Sequence, residues 1–179
     1  MSAASALAAA RFERRARQED LAKVARISRK TVSALETGAR RIQPDVARSL
    51  AQHLDYAQLY MAVASEATAG VFATQYLDNV NHDPLAVAMK TIEEVRELDI
   101  EIEQSLRAMI NAQKPGHLTE AIRTRIRSLA LTALDVRYVA DHLVASLCDT
   151  YRFSPKELCQ EHKEKLVKRG YLKRRREAK

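Results

Sequence analysis

Two adjacent cations offer the clearest chemistry in this sequence. Arg29 and Lys30 follow Ser28 at the predicted start of a short helix. Either cation can donate hydrogen bonds to the O6 and N7 atoms of guanine. A helix that is held away from its support can enter the major groove of DNA and bring such donors to base edges. The chemistry available to these two residues is therefore hydrogen bonding to acceptors such as those of DNA bases.

Two short helices joined by a tight turn are predicted to position these cations, over about 18–25 and 29–37. The apolar side chains recur at helical spacing: Leu21, Ala22 and Ala25 on the first helix, Ile27 at the corner, and Val32 and Leu35 on the second. Ser28 is well placed to cap the second helix. Gly38 can end that helix in the left-handed conformation.

The segment resembles the lambdoid-repressor and Cro-like helix-turn-helix family, often called XRE. The family pattern is Gln-x-x-Leu-Ala, a hydrophobic corner, and then Ser-x-x-Thr-Ile/Val-Ser-x-Ile/Leu-Glu-x-Gly, which the chain follows from Gln18 to Gly38. The resemblance extends from about Leu7 to Leu54. Arg26 stands where the turn usually carries glycine, and a left-handed backbone there would cost about 1 kcal/mol. Arg17 stands where the family often has a Thr or Ser cap, so we expect a weaker start of the first helix.

The resemblance implies different roles for the side chains of this region. Those implied to contact bases are Arg29, Lys30, Ser33 and Ala34. Those implied to contact phosphates are Gln18, Ser28, Thr37, Arg40 and Arg41, with Arg14, Arg15 and Arg17 as further candidates. Arg11 and Glu36 are implied to form a partly buried ion pair, which holds the recognition helix at its angle without touching bases.

Charge is spread unevenly along the chain. The 179 residues carry a formal net charge of +7. Residues 1–60 have a net charge of +5, residues 61–150 of −5 and residues 151–179 of +7. We therefore expect phosphate contacts towards either end of the chain and not in its acidic middle.

The acidic middle predicts two long helices. Asp83-Pro84 is a helix start signal, and Lys114-Pro115-Gly116 is predicted to break the helix before a second one begins near Thr119. Apolar residues recur at three and four positions on both helices. We expect a helical hairpin whose apolar faces form a homodimer interface through Leu85, Ile92, Val95, Ile102, Leu106, Ile126, Leu129 and Leu143.

The predicted fold class is all-α. A five-helix helix-turn-helix head is expected over residues 1–64, a connector over 65–82, a dimerisation or regulatory domain over 83–170 and a basic tail over 171–179. Within the head, the first helix is expected from about Ser5 to Arg15 and the fifth from Tyr56 to Ala64. Helical character over 71–80 is left open. Ser154-Pro155-Lys156-Glu157 reads as a capping box that opens a short last helix, which Gly170 ends.

The function predicted for this organisation is a sequence-specific transcriptional regulator that binds a pseudo-palindromic operator. Occlusion of a promoter, and hence repression, is the expected mechanism, although the motif is equally compatible with activation. Double-stranded DNA and a second copy of the chain are the expected partners. The alternative is an antitoxin-like or adaptor protein that acts through its acidic helices, and a protein or small-ligand partner at these helices also stays open. Co-purification of a basic partner with residues 83–179 would favour that alternative.

The remaining function classes have little support in the sequence. The histidines lack metal-ligand spacing, and no glycine-rich phosphate loop occurs, so we expect no metal and no cofactor. Cys159 and His162 share a helical face, but no third group accompanies them, and an enzyme is not expected. The two cysteines suit a reducing cytoplasm. No apolar run reaches the ~18 residues of a membrane span.

Overall fold

The computed structural model describes residues 2–77, 79–113 and 118–173. Within these residues, all regular secondary structure is helical. The helices are α1 (Ala3–Glu13), α2 (Gln18–Ala25), α3 (Arg29–Glu36), α4 (Pro44–Leu54), α5 (Ala57–Thr68), α6 (Pro84–Ala112), α7 (Glu120–Tyr151) and α8 (Pro155–Lys168). The predicted all-α class, with a five-helix head followed by further helices, is confirmed.

The described residues divide into two compact units. The first contains residues 2–77 together with 147–173, and the second contains residues 79–113 and 118–146. The last turn of α7 and the whole of α8 thus lie in the unit of the head. The sequence interpretation grouped them with the hairpin.

One apolar core holds the head together. Its largest fully buried side chains are Leu7, Leu21, Val32, Leu50 and Leu59, one from each of the five helices. Ala6 and Ala10 on α1 are also fully buried, and their small size lets α1 pack closely against α3, α4 and α5. α2 packs against α3 and α4. This core determines how α3 is presented.

The ends of α1 and α5 differ from their predicted positions. α1 was expected from Ser5 to Arg15. It begins at Ala3 because Ser2 caps it, with the Ser2 hydroxyl accepting from the Ser5 N–H at 3.2 Å. The Ala3 N–H also donates to Glu66 Oε1 at 2.8 Å. α5 continues to Thr68, beyond the expected end at Ala64.

α8 is fixed to the head through the end of α4. Asp55 follows α4 in the left-handed conformation, with a φ of 45°. Its carboxylate accepts from the Ser154 hydroxyl at 2.5 Å and from the Lys156 N–H at 3.2 Å. The Ser154 hydroxyl in turn accepts from the Glu157 N–H at 3.1 Å. The predicted cap of α8 is present and also serves as its attachment point.

The second unit contains an antiparallel helical hairpin. The rings of His82, before α6, and His142, near the end of α7, stack with centroids 6.4 Å apart. At the opposite end, the Arg125 guanidinium hydrogen-bonds to Gln104 and lies 3.6 Å from the Glu101 carboxylate. The predicted break at Lys114-Pro115-Gly116 lies outside the described residues.

α6 buries one face and exposes the apolar one. The covered positions follow a heptad spacing and are largely polar or small: Val87, Thr91, Glu94, Leu98, Glu101, Ser105 and Ala108. The neighbouring apolar positions are exposed, and we call them the apolar stripe: Leu85, Ile92, Val95, Ile102 and Leu106. In the described part of the chain, no helix is both long enough and apolar enough to cross a bilayer.

Candidate nucleic-acid interface

The turn between α2 and α3 carries an arginine in a left-handed conformation. Arg26 has φ 55° and ψ 44°. The next residue, Ile27, donates its N–H to the Ala22 carbonyl at 3.0 Å and packs against the core of the head. The expected left-handed backbone at Arg26 is confirmed. The packing of Ile27 against the core stabilises the turn in spite of this strained conformation.

The start of α2 is capped in only one direction. The Asp20 carboxylate accepts from the Arg17 N–H at 3.3 Å. Arginine has no acceptor with which to cap in return. This agrees with the expectation that α2 starts less firmly than in relatives with Thr or Ser at this position.

The start of α3 is held by a full cap. The Ser28 hydroxyl oxygen accepts from the Thr31 N–H at 3.0 Å and hydrogen-bonds to Thr31 Oγ1 at 2.9 Å. Ser28 is exposed, so its hydroxyl group faces solvent while it fixes the helix end. A phosphate contact from Ser28 remains a prediction.

α3 buries one side and presents the other. Val32 and Leu35 are fully buried, whereas Arg29 and Lys30 are exposed and Ser33 and Ala34 are half-buried. The Arg29 Nε atom lies 3.1 Å from Glu19 Oε1 in an exposed ion pair. Lys30 makes no hydrogen bond or ion pair with any described residue. The sequence interpretation missed Glu19, although an acidic side chain in the first turn of α2 was the available signal.

Glu36 connects α3 to the start of the head. Its carboxylate accepts from Arg11 Nε at 2.5 Å and from Arg11 Nη2 at 3.1 Å. Only 7% of the Glu36 side chain is exposed, against 27% for Arg11. The hydrogen bond to Glu36 raises the pKa of the Arg11 guanidinium above its ordinary value. The structure therefore brings Arg11 and Glu36 together in the partly buried arrangement that the resemblance implied.

Gln18 joins the same carboxylate. Its amide nitrogen donates to Glu36 Oε2 at 2.8 Å. An amide NH₂ group has two hydrogens, so one remains for a phosphate beside α2. Glu36 thereby orients a residue that was expected at the DNA backbone.

Thr37 and Gly38 terminate α3. Thr37 Oγ1 donates to the Ser33 and Ala34 carbonyls, at 3.1 and 3.3 Å. Gly38 adopts the predicted left-handed conformation, with a φ of 73°. The side chains of Arg40 and Arg41, which follow, are exposed and unpaired among residues 2–77, 79–113 and 118–173.

Arg14 is used within the fold. Its Nε atom donates to the Leu54 carbonyl at 2.8 Å, and its Nη2 atom donates to the Asp55 carbonyl. The guanidinium also lies over the Tyr56 ring, 5.8 Å from its centroid. Arg14 therefore caps the carboxyl end of α4, a contact that the sequence did not indicate.

Comparison with known proteins agrees with this geometry. Residues 9–57 match the family model described as helix-turn-helix. The match covers the last five residues of α1 and all of α2, α3 and α4. Comparison of the chain with curated proteins and with solved structures found no match. The N-terminal part of the chain is an XRE-type helix-turn-helix domain.

Proposed function

We propose that this protein is a sequence-specific transcriptional regulator that binds a pseudo-palindromic operator as a homodimer and represses by occluding a promoter. The main support is the orientation of α3. Its apolar side is buried in the head, while Arg29 and Lys30 at its start are exposed. Such a helix can enter the major groove with its first turn against the bases. Transcriptional regulation requires access to the chromosome, so we place the protein in the cytoplasm.

In this proposal, residues on the exposed side of α3 contact the bases. Arg29 and Lys30 would donate to guanine, and the methyl group of Ala34 would contact a thymine methyl. Binding has to compete with the Arg29–Glu19 pair. An exposed pair contributes at most about 1 kcal/mol, whereas a bidentate base contact contributes about 1–3 kcal/mol of discrimination. The pair therefore does not prevent readout.

Positioning on the DNA backbone falls to residues on both sides of α3. The proposed phosphate contacts are Gln18, Ser28, Thr37, Arg40 and Arg41. Arg40 and Arg41 carry the charge, while Gln18 and the amides at the start of α2 add neutral donors. The acidic hairpin is outside this set.

In this proposal, the hairpin of α6 and α7 forms the dimer interface. The apolar stripe of α6 is exposed in the single chain, and Ile126, Leu129 and Leu143 of α7 are half-buried. Packing two hairpins into a four-helix arrangement would cover the stripe. Two linked heads could then bind half-sites about one helical turn apart.

Selection of bound duplexes from a random pool tests the proposal. We expect the wild-type protein to enrich a palindromic consensus with a G·C pair at the position read by Arg29. Arg29→Ala should lose that position and keep the rest, and Lys30→Ala should lose a neighbouring one. Arg48→Ala removes an exposed charge on α4 and should leave the consensus unchanged. Failure of the wild-type protein to enrich any sequence, or an unchanged consensus in both α3 variants, would contradict the proposal.

A further inference from the structure

An open groove in the first unit is lined from two distant parts of the chain. Its side chains are Arg11, Phe12, Glu13, Arg15 and Ala16, around the end of α1, and Arg152, between α7 and α8. The helix-turn-helix match ends at residue 57, so Arg152 comes from a segment that the match does not cover.

The fold holds Arg152 at this groove. Arg152 has a left-handed backbone with a φ of 60°, which turns the chain between the end of α7 at Tyr151 and the cap of α8. Two residues later, Ser154 is hydrogen-bonded to Asp55 of the head. The position of Arg152 is therefore fixed by backbone geometry on one side and by a contact with the head on the other.

Two of the three guanidinium groups in the groove are uncommitted. Arg11 is paired with Glu36. The side chains of Arg15 and Arg152 make no hydrogen bond or ion pair in the part of the chain that the structure describes. Glu13 lies in the same groove, and Asp149 interacts electrostatically with Arg152. An anion that enters the groove would meet two guanidinium groups that are available to donate, against the opposing charges of Glu13 in the lining and Asp149 near Arg152.

The groove borders the proposed DNA-binding surface. Ala16 lies just before α2, and its carbonyl accepts from Arg11 Nη1 at 3.5 Å. The same Arg11 side chain holds Glu36, which in turn orients Gln18 at the start of α2. A strand of DNA whose phosphate contacts Gln18 would bring a neighbouring phosphate towards this groove.

We propose that the groove binds a backbone phosphate of the operator, with Arg15 and Arg152 as its donors. This inference rests on the proposed function. It extends the phosphate contacts to the C-terminal segment of the chain. The exposed guanidinium groups suit phosphate because their donors match its oxygens, and such a contact strengthens binding without selecting sequence.

Arg152→Gly tests the proposal without endangering the fold, because glycine adopts a φ of 60° without strain. Operator binding would be measured over a range of salt concentrations. Loss of one phosphate contact should lower the magnitude of the slope of log Kd against log salt by about 1. Affinity at low salt should fall roughly five- to tenfold, with the consensus sequence unchanged. Glu13→Gln should have the opposite effect on affinity.

Two matched variants separate the groove from bulk charge. Arg169→Ala, at the residue that follows α8, and Glu161→Gln, on α8, make equal charge changes and do not line the groove. Both should leave the slope close to that of the wild type. The inference would be overturned by a wild-type slope in Arg152→Gly, or by an equal change in Arg169→Ala, while an enriched operator would still uphold the proposed function. Failure of the wild type to bind any duplex would overturn both.

Discussion

At the residue scale, the presentation of α3 depends on one buried carboxylate. Glu36 accepts three hydrogen bonds, two from Arg11 and one from Gln18. A carboxylate that is removed from water needs such partners, because loss of one leaves an uncompensated charge. The contact therefore links the end of α3 to α1 and to the start of α2.

Arg11→Ala should lower the free energy of unfolding by about 2–3 kcal/mol, below the 3–5 kcal/mol of a fully buried pair because Arg11 is partly exposed. Urea unfolding would measure this loss. Arg29→Ala is the matched control, since it removes an arginine from the exposed pair with Glu19 and should cost less than about 1 kcal/mol. An equal loss of unfolding free energy in the two variants would show that the burial of Glu36 adds nothing to the strength of its ion pair.

The turn residue Arg26 is a second site where one side chain affects the free energy of unfolding. The left-handed conformation costs a non-glycine residue about 1–2 kcal/mol. Glycine avoids this cost, but it loses more backbone freedom on folding, which cancels part of the gain. Arg26→Gly should therefore raise the free energy of unfolding by about 0.5–1 kcal/mol and raise Tm. Lys23→Gly, inside α2, should instead destabilise by about 1 kcal/mol. A less stable Arg26→Gly would indicate that the arginine side chain compensates for its backbone.

At the scale of elements, the last turn of α7 contacts α5 through polar groups. The Gln58 amide nitrogen donates to the Tyr76 hydroxyl at 3.0 Å and to Asp149 Oδ2 at 3.2 Å. Burial raises the pKa of Asp149 above its ordinary value near 3.8. The folded state therefore binds this proton more tightly than the unfolded chain does. The free energy of unfolding therefore falls as the pH rises from about 3.8 through the raised pKa, and the loss is complete above it.

Asp149→Asn should make the protein more stable than the wild type at neutral pH, because it keeps an acceptor for Gln58 and removes the buried charge. The advantage should shrink as the pH falls through the raised pKa and vanish below about 3.8. Thermal unfolding at a series of pH values would measure it. Asp135→Asn, at an exposed position on the same helix, should show no such trend. A difference in stability between Asp149→Asn and the wild type that does not change with pH would refute the raised pKa of Asp149.

Local signals explain which elements could be predicted from the sequence. Ser28 and Gly38 mark the ends of α3, and Asp83 accepts from the first N–H groups of α6, as its position before proline predicted. The bond between Asp55 and Ser154 spans 99 positions, and no spacing rule connects them. For the same reason the sequence did not place α8, or Arg152, beside the head.

At the scale of the whole molecule, α6 presents an unusual distribution of polarity. Ser105 is fully buried, whereas its neighbour Leu106 is 49% exposed. Periodicity identified the apolar stripe, and it could not reveal that the polar face would be the covered one. An apolar stripe along an exposed helix is typical of a surface that another chain covers. Its acidic surroundings make DNA a poor candidate for that role.

Leu106→Glu should therefore convert the proposed dimer to a monomer, because it places a charge within the apolar stripe. Sedimentation at micromolar concentration would measure the mass. Binding to the full operator should weaken about 100-fold or more as the linkage between heads is lost, while binding to a single half-site stays unchanged. Asn111→Glu introduces the same side chain on an exposed face of α6 outside the stripe and should remain dimeric. A wild-type protein that sediments as a monomer and binds full and half operators equally would contradict the dimer. The stripe would then favour the adaptor alternative, in which a different protein covers it.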